Sequence, residues 1–194
     1  MLVLVRHGQT AVNVGGLLQG RSDAPLTDLG RQQAEAAARA VGDAALVVSS
    51  PLARAMDTAA CFGAPVTVDE RWVELDYGEF DGLAFAEVPA ATWAHWRTDP
   101  SWAPPGGESL VACGARVGAA CGELAERAIS ETVVVVSHVS PIKAAIAWAL
   151  GAGESTAWRM FLDVAAICRI RTGAPGVALV AFNDVAHLAA LRSG

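Results

Sequence analysis

The chain has 194 residues, enough for one domain with a sizeable core. A hydrophobic fraction of 53% and a mean hydropathy of +0.37 exclude an intrinsically disordered chain. A formal net charge of −6 argues against nucleic acid as a general partner, and no apolar run reaches the ~20 residues of a membrane span.

Leu2 to Val5 is a short apolar run that reads as a buried strand, and it stops at Arg6-His7-Gly8. Strand-like residues follow Met1 at once, with no basic region before them, so no signal peptide is expected. Thr10 to Val14 reads as one or two helical turns, broken by Gly15-Gly16, and Leu17 to Pro25 as a loop. Thr27 caps a helix running to about Gly42, with Leu29, Gln33, Ala36, Ala37 and Ala40 at helical spacing. Leu46 to Ser49 is a second strand. Ser50-Pro51 opens a helix to about Phe62, which places Arg54 one turn in. Val66 to Val68 is a third strand.

Asp69 to Gly82 reads as a loop rich in acids. Residues 83–105 read as a small helical insertion in which Trp93, Trp96 and Trp102 pack as a lid. Ser109 caps a long helix to about Ala128. Thr132 to Ser137 carries four consecutive valines and reads as a strand buried on both faces. Ser140-Pro141 opens a helix to Leu150. Val164 to Ile170 and Val177 to Ala181 are the last two strands. This alternation predicts an α/β domain with a mainly parallel sheet and an antiparallel strand from the C-terminal segment. Cys61, Cys113, Cys121 and Cys168 show no metal spacing and read as buried, reduced thiols in a cytoplasmic protein.

Two stretches are built alike. Both LVVSSPLAR and VVVSHVSPIK run from a buried strand into a Ser-Pro helix start. Each delivers polar side chains and free amides to the sheet edge where His7 sits, the edge where ligands bind in open α/β sheets. Arg6, Arg54, His7 and His138 thus converge on one dianion. Phosphate fits, because guanidinium forks match its oxygens and hold their charge. Two nearby cations also lower the pKa of His7, which leaves a ring nitrogen unprotonated. Taken singly, Arg54 reads equally as a solvated helix arginine and Glu74 as a surface acid. His95 and His187 have no motif around them.

The motifs LVRHGQTAVN, LQGRSDAPLTDLGRQQA, SSPLARAMDTA, VELDYGEFDG, PPGGES and VVVVSHVSPIK, in that order, resemble the histidine phosphatase superfamily. The likeness is to its branch of cofactor-dependent phosphoglycerate mutases and cobalamin-type phosphatases, and it covers nearly the whole chain. The ending SHVSPIK resembles α-ribazole phosphatases and the acid phosphatase half of bifunctional ribonuclease H/phosphatase proteins. The resemblance implies a phosphoglycerate mutase-like three-layer sandwich forming a single domain over residues 1–194. It implies that His7 is the phosphorylated nucleophile, that Arg6, Arg54 and His138 bind phosphate, and that Asn13 and Gln9 add polar contacts. Glu74 matches the proton donor, with Asp76 and Glu79 as rivals. Many members have glycine after the second histidine where this chain has Val139; Val139, Ser140 and Lys143 are candidates for substrate contacts.

The function expected is metal-independent hydrolysis of a small phosphomonoester through a phosphohistidine, with no cofactor. α-Ribazole 5′-phosphate is one candidate substrate, and a homodimer is left open. A phosphoglycerate mutase uses the same residues; the short segment after the last strand favours hydrolysis. A phosphate-binding domain without chemistry is the alternative from another class, and a ribonuclease H activity is not expected.

Overall fold

The computed structural model of the chain describes residues 1–191; residues 192–194, the end of the expected domain, lie outside the described residues. The strands are β1 (Leu2–Arg6), β2 (Leu46–Ser49), β3 (Val66–Val68), β4 (Val133–Ser137), β5 (Ile167–Arg171) and β6 (Ala178–Asp184). The helices are α1 (Ala11–Val14), α2 (Asp28–Val41), α3 (Ala53–Ala60), α4 (Ala90–Thr98), α5 (Leu110–Arg127) and α6 (Val139–Leu150). One six-stranded sheet has the order β3-β2-β4-β1-β5-β6. The pairings β2–β3, β2–β4 and β1–β4 are parallel, and β5 alone runs against its neighbours β1 and β6.

Strand periodicity builds the layers. Leu2, Leu4, Val133 and Val135 face a core made with Val117 and Cys121 of α5 and Ile142 and Ile146 of α6. Val3, Val5, Val134 and Val136 face the opposite core, with Ala37 of α2 and Ala55 and Ala59 of α3. The result is the expected helix–sheet–helix sandwich. The four valines of β4 are wholly buried. Each is worth ~1.5–3 kcal/mol of burial, so the strand that carries His138 at its tip cannot slip register cheaply.

Several boundaries differ from expectation, each for a physical reason. Helix α3 starts at Ala53, beyond Pro51, and its preceding residue Leu52 offers no side-chain cap. The Asp23 carboxylate accepts from the Ala53 amide at 2.9 Å and caps it from another loop. Arg54 therefore sits in the first turn of α3. Helix α6 begins at Val139, ahead of Ser140-Pro141. Pro141 is harmless there, because first-turn amides have no intrahelical partner. Asp69 to Gly82 contains two 3₁₀ turns, Glu70–Trp72 and Gly78–Phe80. The insertion holds one helix, α4, and the last two strands run later than expected. Two 3₁₀ segments, Glu154–Arg159 and Ala186–Leu191, were not anticipated. On α2 the buried stripe is Gly30, Gln33, Ala34, Ala36 and Ala37, while Ala40 is exposed. All four cysteines are free, and three are buried as expected while Cys61, at the end of α3, is half-buried; burial pushes the Cys113 and Cys121 thiols up to about 12, as inert core residues should be.

Candidate active site

The site begins where the parallel strands end in register. Arg6 lies opposite Ser137, and Ser49 opposite Val136. The His7 amide donates to the Ser137 carbonyl and the Ser50 amide to the Val136 carbonyl, both at 3.0 Å. His7, Ser50 and His138 therefore leave one sheet edge side by side. Behind His7 the chain crosses α2 so closely that a Cβ on Gly8 would collide with the Gly30 carbonyl, and one on Gly30 with the Gln9 carbonyl. Gly8→Ala or Gly30→Ala should accordingly lose about 1–3 kcal/mol of stability, seen as a lower Tm. An unchanged Tm would mean that the crossing relaxes freely.

The two imidazoles face each other with ring centroids 5.1 Å apart and planes tilted by 56°. His7 Nδ1 lies 2.7 Å from the Gly8 carbonyl, which only accepts, so Nδ1 carries the proton. Nε2 is left as an acceptor and receives Arg54 Nε–H at 3.3 Å. The same Nε–H reaches His138 Nδ1 at 3.2 Å, which leaves His138 Nε2–H to donate to Ser50 Oγ at 2.7 Å. Arg54 is fully buried and donates its two other nitrogens to the Gly20 and Ser22 carbonyls at 2.8 Å each. Asp81 staples that loop by accepting from the Gly20 and Ser22 amides at 2.7 and 3.2 Å.

Burial, then the charges of Arg6 and Arg54, hold the His7 imidazole well below the ordinary histidine value of 6.5; burial likewise depresses His138. Neither ring should gain its proton near pH 6.5 in an NMR titration. In the unfolded chain both regain ordinary values and bind protons below that pH. The contribution of this neutral pair to stability is therefore whole above pH 6.5 and is lost as pH falls below it. A ring that titrates at 6.5 would contradict the buried arrangement.

A pocket of about 100 Å³ opens over His7, lined by Arg6, Asn13, Gln19, Glu74, Tyr77 and Val139 among others. Arg6 donates Nη1–H to the Leu162 carbonyl at 2.6 Å, while its buried Nε has no partner. Desolvation lowers Arg6 to about 10, still cationic at neutral pH. The Glu74 carboxylate is 3% exposed. Its Oε2 accepts from the Val139 amide at 3.0 Å, and its Oε1 from the Ser140 and Leu75 amides at 3.1 and 2.7 Å. The carboxylate is thus seated on the N-terminus of α6, where free amides and the helix dipole favour an anion. Its backbone carbonyl accepts from Arg21 Nε at 3.3 Å. Arg116 of α5 ties down the carbonyls of Arg71 and Val73 at 2.6 and 2.7 Å, and pairs in bidentate fashion with Glu108.

Of the expected residues, Arg6, His7, Asn13, Glu74 and Val139 line the pocket. Arg54 and His138 lie fully buried against His7, behind the lining. Three of the expected residues lie outside the pocket lining. Gln9 turns away: its Oε1 accepts from Thr27 Oγ1 at 3.0 Å. Ser140 spends its amide on Glu74 and its hydroxyl lies 3.4 Å from Tyr77 OH. Lys143 is a turn further along α6, outside the lining, where burial lowers its pKa. The rivals of Glu74 fall elsewhere: Asp76 faces Arg21, and Glu79 is exposed. His95 packs edge-on to Trp102 and His187 lies 3.1 Å from the Ala165 carbonyl, both away from the pocket.

Sequence reasoning missed Gln19, Tyr77 and Arg116. Gln19 Oε1 accepts from Thr10 Oγ1 at 2.7 Å and from Asn13 Nδ2 at 3.5 Å, which fixes Nε2 as a donor; that nitrogen is buried without a partner. Its only sequence signal was its place in the stretch LQG. Burial pushes the Tyr77 phenol up, so it stays a neutral hydroxyl. Among the described residues, no group of three or more His, Cys, Asp or Glu is placed to hold a metal ion. Among the described residues, no helix is long and apolar enough to cross a membrane.

Known proteins are similar to this chain in sequence and fold. The chain is 39% identical over 176 residues to the bifunctional protein Rv2228c of Mycobacterium tuberculosis, covering 86% of this chain and 48% of that protein. The chain spans about half the length of the first curated relatives it matches. The structure of mycobacterial glucosyl-3-phosphoglycerate phosphatase Rv2419c with VO3 superposes with a TM-score of 0.84 at 36% identity, covering 94% of this chain and 98% of that one. A phosphoserine phosphatase mutant from Entamoeba histolytica in complex with phosphoserine gives a TM-score of 0.89 at 27% identity, covering 96% and 98%. The family model for histidine phosphatase superfamily (branch 1) matches residues 2–185. With that match spanning the sheet and every segment that builds the pocket, this chain belongs to branch 1 of the histidine phosphatase superfamily.

Proposed function

We propose that this chain is a metal-independent phosphomonoester hydrolase that works through a phosphohistidine on His7. The observation that carries the reading is the pair of unpartnered buried donors, Arg6 Nε and Gln19 Nε2, lining one pocket with His7 and Glu74. Buried donors without acceptors are costly, and an anionic ligand relieves that cost. Phosphoryl transfer asks mainly for positioning and charge neutralisation, which two arginines supply.

In the first step the phosphate oxygens compete with His7 for Arg54 Nε–H. They win, because an anionic oxygen accepts more strongly than a neutral imidazole. The freed Nε2 lone pair attacks phosphorus, the bond from phosphorus to the ester oxygen breaks, and Glu74, which takes up the proton of the phosphomonoester monoanion as it binds, delivers that proton to the leaving alkoxide. Water then attacks phosphorus and gives a proton to Glu74, the N–P bond breaks, and His7 recovers its lone pair. Both steps balance with no other reactant. His138 supports phosphate through the arginine it shares with His7, and Asn13 orients Gln19.

The relatives that bear phosphatase names support hydrolysis over mutase chemistry. Their names add glucosyl-3-phosphoglycerate and phosphoserine to α-ribazole 5′-phosphate as substrates to test. The experiment is a phosphate-release screen of the purified protein with these esters and 3-phosphoglycerate, with and without EDTA. Release that is unaffected by EDTA is expected. Isomerisation of 3-phosphoglycerate without release, or release that returns only with added metal, would overturn the proposal.

A further inference from the structure

A second chamber opens directly off the phosphate pocket. It is a depression of about 250 Å³, largely open to solvent, and shares Arg6, Asn13, Leu17 and Phe85 with that pocket, so it lies within reach of whatever is esterified to a phosphate over His7. Its further walls include Phe161 and Val164, with Asp163 beside them. Phe85 and Phe161 are 59% and 73% exposed, an unusual position for two phenyl rings unless something covers them.

Phe85 is held in place. Its ring stacks on Trp93 at 5.5 Å and 19°, and Trp93 Nε1–H donates to the Phe85 carbonyl at 3.1 Å. Trp93 in turn lies flat on the fully buried Trp96, at 5.7 Å and 6°. The Leu18 amide donates to the Leu83 carbonyl at 2.8 Å, and Leu17 pairs with Ala84, which ties the loop of Leu17 to the segment of Phe85. The Trp-rich insertion thus acts as a buttress: it presents one phenyl ring, pre-ordered, at the mouth of the site. A pre-ordered ring loses little entropy when a ligand packs on it.

The charges point the same way. Among the described residues of the lining, Arg6 is the one cation, and it belongs to the phosphate. Asp163, whose Oδ2 accepts from Asn183 Nδ2 at 3.0 Å, puts a carboxylate on the wall. A carboxylated alcohol would bring its anion beside Asp163, and among the described residues of the lining no cation besides Arg6 would meet it.

We infer that the chamber binds an apolar or aromatic alcohol moiety between Phe85 and Phe161, so that the preferred substrates are phosphomonoesters of uncharged, apolar alcohols. This rests on the phosphomonoesterase reading for its phosphate end. It sets the chain apart from what the names of its relatives suggest, since phosphoserine and glucosyl-3-phosphoglycerate both carry a carboxylate.

Non-hydrolysable phosphonates test it without turnover. Calorimetry should show 2-phenylethylphosphonate binding about 10–200-fold tighter than ethylphosphonate, the usual span for filling a hydrophobic pocket. The charged 2-carboxyethylphosphonate should bind no tighter than ethylphosphonate. Phe85→Ala and Phe161→Ala, both at exposed positions that tolerate truncation, should bring the phenylethyl-to-ethyl ratio towards one. A wild-type ratio near one, a preference for the carboxylated ligand, or a ratio that neither variant moves would overturn the inference. Phosphonate preference with no phosphate release from any ester would leave the inference standing and sink the hydrolase reading instead.

Discussion

His7→Ala should lower turnover of every phosphomonoester by on the order of 10⁵–10⁶-fold, the scale seen when a covalent nucleophile is removed. It should also abolish the acid-labile phosphoenzyme formed from radiolabelled p-nitrophenyl phosphate. Both effects follow from one atom. Nε2 of His7 is the imidazole nitrogen left unprotonated at the pocket, because Nδ1–H is committed to the Gly8 carbonyl. His138 cannot substitute: its Nδ1 faces Arg54 and its Nε2 lies 2.7 Å from Ser50 Oγ. A folded variant that still traps labelled phosphate would move the nucleophile to His138 and refute the assignment.

Glu74→Gln should separate acid from nucleophile. General acid catalysis is worth roughly 10²–10⁴-fold, so turnover of an alkyl phosphate should fall by that much. With an aryl phosphate, whose leaving group hardly needs a proton, single-turnover formation of phosphoenzyme should fall far less. The phosphohistidine should then accumulate, since water has lost its base. Stability has its own cost here. Both carboxylate oxygens accept amide hydrogens, so a glutamine must turn an NH2 towards an N–H donor. That mismatch should take about 1–3 kcal/mol from stability. The fall in Tm is common to both assays, and only the difference between alkyl and aryl rates reports the proton. Equal losses for the two would refute Glu74 as the donor.

The chemistry was easiest to read where it follows an apolar run. β1 and β4 announce themselves by burial alone, and the residues that follow them, His7 and His138, inherit their place from the sheet edge. The caps at Thr27 and Ser109 were legible for a similar local reason: each hydroxyl accepts from an amide three residues on. The start of α3 was not, because its cap is Asp23, thirty residues upstream in the chain. Gln9 and Gln19 show the same limit. Both are glutamines near the first strand, and only the crossing of the chain over Gly30 sends one to Thr27 and the other to the pocket.

By itself the sequence determined the alternation of strands and helices, the strand tips that carry the histidines, and a membership legible in ordered motifs. These are short-range properties, set by periodicity, capping and the residues that end a strand. Only the tertiary structure decided which of the acids in VELDYGEFDG faces the pocket over His7. Glu74 enters because the first amides of α6 take its carboxylate and Arg116 takes the carbonyls before it, while Arg21 draws Asp76 away. Those partners lie tens of residues apart in the chain. Their meeting depends on how α5 and α6 pack on the sheet, and no local pattern encodes it.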